Sequence, residues 1–173
     1  MSTGHEASTA LEGLPHSILV AFDGSPHAWR ALERAATLAS ASNAGLTLLS
    51  VAQQPRVFVG PYTAPIPSEE QLLAEAEAEL AAARQSLPQD LDVKTLALAG
   101  DPADEILRQA EQGGHDLIVI GTRGHGDAVS LAIGSVSHAV LRGASVPVLV
   151  VRDLASVAHD GPIAAAAGAA VAQ

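Results

Sequence analysis

The chain has 173 residues, 48% of them hydrophobic and only 2% aromatic, with nine basic against 19 acidic side chains and a net charge of -10. That balance argues against nucleic acid as a partner, because neutralising phosphates takes clustered Lys and Arg, and the lack of cysteine excludes disulfides, thiol catalysis and thiolate metal sites. The opening MSTGHEASTALEGLPH has no basic and then apolar segment, and no apolar run reaches the ~18 residues of a membrane helix, so the expectation is a soluble, cytoplasmic, single-domain protein without a membrane partner.

Residues 1–15 carry no useful periodicity and read as a flexible tail. Ser17 to Asp23 is a short apolar run of the kind buried on both faces of a parallel sheet. Asp23-Gly24-Ser25-Pro26 then turns into a helix, with Ser25 as N-cap and Pro26 at the first helical position, where its missing N–H costs nothing. Leu32, Ala35, Ala36 and Ala39 fall on one face of that helix, which runs to about Ser42. Leu46 to Val51 reads as a second strand. The stretch from Gln53 to Pro67 holds four prolines and no helical period, and reads as a long loop. Ser68 with Gln71 has the spacing of a capping box and opens an Ala/Glu/Leu-rich helix to Ser86. Val93 to Leu98 is a third strand, and Asp101-Pro102 repeats the cap-and-proline device for a helix to about Gln112. Asp116 to Ile120, a helix from about Gly134 to Arg142, and Val146 to Val151 complete the pattern. Alternating strands and helices predict one parallel sheet covered on both faces, because right-handed crossovers force that arrangement. Residues 153–173 end in an Ala-rich segment that reads as a disordered tail, which leaves residues 16–152 as the folded domain.

The chemistry concentrates in the loop after the fourth strand, GTRGHGDAVSLAIGSV from Gly121 to Val136. Glycines at a strand end let a ligand approach with no Cβ in the way, and a following helix N-terminus offers unpaired N–H groups suited to phosphate. It is not a P-loop, which needs a lysine, because the chain's one lysine is Lys94. Nor is it the dinucleotide fingerprint, which follows the first strand. A glycine-rich turn without a ligand is the plain alternative.

The spacing Gly-x-x-Gly-x9-Gly-Ser resembles the ATP-binding signature of the universal stress protein family. Asp-Gly-Ser after the first strand, Leu-Leu-Ser-Val in the second and Ser-Val-Pro-Val-Leu-Val-Val at the close extend the resemblance over about Ser17 to Arg152. It implies an α/β fold with an open five-stranded parallel sheet in the order 3-2-1-4-5, Rossmann-like, and ATP bound with Mg²⁺ or Mn²⁺. The binding set it implies is Ala21, Asp23, Val51, Gly121, Thr122, Arg123, Gly124, His125, Gly134, Ser135, Val136 and Ser137. Within it Asp23 would meet the ribose or the metal, Val51 the adenine by its backbone, and the glycine loop with Ser135 the phosphates. For Asp23 a turn-capping role stands equally open, and for Arg123 and His125 simple exposure to solvent.

The other histidines, His27 among them, lack metal-site spacing. Trp29 reads as a packing or interface residue. With no lysine near the loop and no water-positioning Gln or Glu, rapid phosphoryl transfer is not expected. The primary reading is thus a nucleotide-dependent stress-response module with slow or no hydrolysis. A slow ATPase or nucleotidyl transferase, and a member acting only through protein contacts, remain as alternatives. The resemblance also implies a homodimer through the last strand, Val146 to Val151, an apolar edge that needs covering.

Overall fold

The computed structural model describes residues 13–54, 66–122 and 133–152. Among these, the strands β1 (Ser17–Ala21), β2 (Gly45–Ala52), β3 (Val93–Ala99), β4 (Leu117–Gly121) and β5 (Val148–Val151) alternate with the helices α1 (Pro26–Ser42), α2 (Glu69–Gln85), α3 (Pro102–Gln112) and α4 (Ser135–Gly143). All the pairings are parallel, and the strands lie in the order β3-β2-β1-β4-β5. Most of the N-terminal tail, the C-terminal tail and most of the 53–67 loop fall outside the described residues, as do Arg123, Gly124 and His125.

Successive residues of β1 point to opposite faces, and both faces are covered. Ile18 and Val20 join Leu46, Leu48 and Val119 under α1 and α2, while Leu19 joins Leu49, Ile118 and Ile120 under α3 and α4. Fully burying each of these side chains contributes about 1.5–3 kcal/mol relative to exposure. The predicted face of α1, Leu32, Ala35, Ala36 and Ala39, is buried against the sheet.

The helix starts follow the expected chemistry. Ser25 Oγ accepts the N–H of Ala28 at 3.2 Å with Pro26 at the first position. In the capping box Ser68 Oγ accepts the N–H of Gln71 at 3.2 Å and Gln71 Oε1 accepts that of Ser68 at 2.8 Å. Asp101 Oδ1 takes the N–H groups of Ala103 and Asp104. The last strand is shorter than expected and starts at Val148 instead of Val146. Pro147 has no N–H to give the ladder, so it joins only through its carbonyl, which accepts from Ile118 N–H at 3.0 Å.

At the amino end of the sheet, the two carboxylate oxygens of Asp116 accept the N–H groups of His16 (2.8 Å) and Ser17 (3.1 Å). His115 Nδ1 lies 2.8 Å from Ser17 Oγ. Burial lowers the pKa of His115, Asp116 opposes that shift, and the charge of Lys94 adds to it. These contacts fix where the chain enters β1, at the end of the sheet remote from the glycine loop.

Candidate functional site

The strand order places β1 beside β4, and their connections depart in opposite directions: β1 leads through α1 to β2, β4 through α4 to β5. A crevice opens beyond the carboxyl ends at such a switch point, where open α/β sheets hold their ligands. Ala21 pairs with Ile120 in register, so Asp23 and Thr122 emerge side by side, each two residues further on.

On the β1 side, the Asp23 side chain is exposed and its Oδ1 accepts the N–H of Ser25 at 3.1 Å, forming a turn that sets the N-cap of α1. Phe22 and Trp29 pack edge to face, with ring centroids 5.1 Å apart, which makes Trp29 a packing residue. Ala21 is half-buried. Val51, also half-buried, pairs with Leu98 near the end of β2, one strand beyond β1. Next to Val51, a cleft of about 340 Å³ opens between the ends of β2 and β3, with Ala52, Gln53, Leu72 and Asp101 in its wall.

On the β4 side, Gly121 is buried, and its lack of a side chain has a packing cause. A Cβ there would lie 2.8 Å from the carbonyl carbon of His27 and 2.9 Å from its oxygen and Cβ. The first turn of α1 therefore rests directly on the end of β4. Thr122 is buried as well: its N–H donates to Val151 O (2.9 Å), and its carbonyl accepts Gly134 N–H (2.6 Å), which joins the two ends of the glycine loop.

Gly134 caps α4 in an extended conformation (φ -63°, ψ 160°) that any residue can adopt. The first turn of α4 begins with His138 N–H donating to Gly134 O at 2.9 Å. Among the described residues the N–H groups of Ser135, Val136 and Ser137 have no backbone partner, as expected at the positive end of a helix. The Ser135 side chain is exposed and Val136 is half-buried. Ser137 is buried, and its Oγ donates to Gly121 O at 2.7 Å, pinning α4 to β4.

The expected residues that are described thus gather along one edge of the sheet in the order Val51, Ala21 with Asp23, then Gly121 with Thr122 and Gly134 to Ser137. Sequence reasoning missed His27. Its half-buried ring brings Nδ1 to 3.5 Å from Thr122 Oγ1, the outer limit of a hydrogen bond. The overlooked signal was its place in the first turn of α1, whose side chains lean toward the helix N-terminus and so toward the carboxyl ends of β1 and its sheet neighbour β4. Among the described residues no three His, Asp or Glu side chains gather as a metal site. An ion at Asp23 would have to take its remaining ligands from phosphate oxygens and water, which suits Mg²⁺.

Residues 15–152 match the family model described as the universal stress protein family. The chain is 32% identical over 146 residues to universal stress protein YxiE of Bacillus subtilis (strain 168), covering 79% of this chain and 99% of that one. Among solved structures, universal stress protein UspA from Lactobacillus plantarum is 30% identical with a TM-score of 0.64, over 79% of this chain and 97% of that chain. A universal stress protein in complex with cAMP is 28% identical with a TM-score of 0.53, over 80% of this chain and 98% of that chain.

Proposed function

The chain belongs to the universal stress protein family, and we propose that it is an adenine-nucleotide-binding module of the stress response. ATP with Mg²⁺ or Mn²⁺ is its ligand, and the occupied state is its signal. The observation that carries this reading is the meeting of β1, β4 and the unpaired first-turn donors of α4 at the switch point of the sheet. A relative crystallised with cAMP supports an adenine nucleotide as the ligand class. Val51 would contact the base, Asp23 with Ala21 beside it the ribose or metal, and Thr122 to His125 with Ser135 and Val136 the phosphates, while Gly121, Gly134 and Ser137 shape the crevice that holds them. Hydrolysis is slow or absent in this reading, since Lys94, the chain's one lysine, stands in β3 far from the loop. The domain spans residues 16–152, with tails of 1–15 and 153–173, and it dimerises through the outer edge of β5, which has no partner strand among the described residues.

Calorimetric titration with ATP and Mg²⁺ tests the reading, with Gly134→Asp as the blocking variant. Asp is a good N-cap, and the extended backbone of Gly134 accepts it, so the fold stays intact. Its carboxylate would occupy the anion position at the start of α4. Wild-type binding in the micromolar range that weakens about tenfold or more in the variant, roughly 1.4 kcal/mol, supports the site. No binding by the wild-type protein overturns it in favour of action through protein contacts alone.

A further inference from the structure

We propose that His27 is a further ligand-contacting residue of this site, donating a hydrogen bond from Nε2 to the outer phosphates of a nucleoside polyphosphate. The inference rests on the nucleotide reading above and deepens it by naming a side chain that meets the phosphate chain of ATP.

His27 sits where β4 gives way to the glycine loop. Its backbone fills the space beside Gly121 that a side chain would otherwise occupy. Its Nδ1 is 3.5 Å from Thr122 Oγ1, and the carbonyl of Thr122 takes the N–H of Gly134. One run of polar contacts thus leads from the first turn of α1, over the end of β4, to the cap of α4.

Among the described residues the other ring nitrogen, Nε2, makes no hydrogen bond, and no buried side-chain nitrogen or oxygen among them lacks a partner, so Nε2 is not a buried atom. A histidine ring nitrogen that carries a proton is a donor, so in the tautomer protonated on Nε2, with Nδ1 facing the Thr122 hydroxyl, the outer nitrogen can donate to an anion.

The order of strands says which part of the ligand it meets. Val51 on β2, Asp23 after β1 and Thr122 after β4 lie on three adjacent strands. At about 4.8 Å per strand, Thr122 and His27 stand roughly 10 Å across the sheet from Val51. A nucleotide with its base at Val51 and its ribose at Asp23 extends its phosphate chain past Thr122 toward His27, so a triphosphate reaches further along that line than a monophosphate. In a protein of net charge -10, with the Asp23 carboxylate next to the site, each further phosphate needs a donor of this kind.

The test is calorimetry with ATP, ADP and AMP, each with Mg²⁺, on the wild-type protein, His27→Ala and His27→Gln. The expected result is a loss of about tenfold in ATP affinity for His27→Ala, as for a hydrogen bond to a charged group, and AMP affinity within about twofold of wild type. His27→Gln, whose amide reaches a similar distance, recovers part of the ATP affinity and replaces the alanine variant as the test if that variant does not fold. Unchanged ATP affinity, or equal losses for ATP and AMP, overturns the role of His27 while leaving the nucleotide reading in place. A wild-type protein that binds none of the three nucleotides sinks both.

Discussion

Gly121→Ala separates two reasons for a glycine at the head of the signature. If Gly121 is there to admit a ligand, the added methyl leaves the empty protein as stable as before and weakens nucleotide binding. The structure predicts the opposite order of effects. The new Cβ would lie 2.8 Å from the His27 carbonyl carbon and 2.9 Å from its oxygen, well inside ordinary contact, and the obstacle is backbone that no rotamer change can move. Relief requires α1 to retreat, yet α1 is seated on the sheet through Ala28, Ala31, Leu32 and Ala35, whose short side chains leave little slack. Overpacking of this kind costs about 1–3 kcal/mol, and at this size each kcal/mol moves the melting temperature by about 2–4 °C, so the fall is roughly 2–12 °C. Thermal unfolding of the nucleotide-free variant by circular dichroism measures it. The emission of Trp29, on the same helix and packed on Phe22, reports the displacement of α1. A melting temperature within about 1 °C of wild type, together with lost nucleotide affinity, would refute the packing argument.

Three further outcomes are expected. Ser137→Ala removes the buried hydroxyl that donates to Gly121 O, a loss of about 0.5–1.5 kcal/mol; an unchanged urea midpoint would count against it. His115 has a folded-state pKa below its ordinary value because it is buried, so the unfolded chain binds the proton more readily and stability is lost as pH falls through about 6.5 and below. Between pH 7.5 and 5 the His115→Gln variant should therefore lose less stability than wild type, and parallel pH profiles would remove His115 as the cause. Leu149, 37% exposed on a strand paired only with β4 among the described residues, is expected to lie in the dimer interface proposed for β5; Leu149→Lys should give monomers, and a dimer mass retained in light scattering would sink that interface.

Much of the fold was legible because its signals are local. The apolar runs at Ser17 to Ala21 and Leu117 to Gly121 are too short for helices and too continuous for a half-exposed strand. Ser25-Pro26, Ser68 with Gln71, and Asp101-Pro102 mark helix starts with the side chains that cap them. The start of β5 was misread because Val146 continues the apolar run and is partly buried with the α3 and α4 layer. Hydrophobicity cannot report that the next residue has no N–H for the ladder.

The site was legible as spacing but not as contacts. A spacing of glycines says where side chains are missing, not which neighbour needs them missing. At Gly121 that neighbour is the backbone of His27, 94 residues earlier in the chain, and no periodicity within the loop could have pointed there. The same holds for two groups expected at the phosphates. The N–H of Gly134 turns inward to Thr122 O, and the hydroxyl of Ser137 to Gly121 O, so both help build the crevice, while the unpaired donors follow at Ser135 and Val136. A substitution at 121 therefore disturbs folding before it can report on binding. Positions 134 and 27 discriminate better: Gly134 has a backbone that any residue tolerates, and among the described residues the His27 ring makes one long contact, to Thr122. At those two positions a change in nucleotide affinity can be read with the fold held constant.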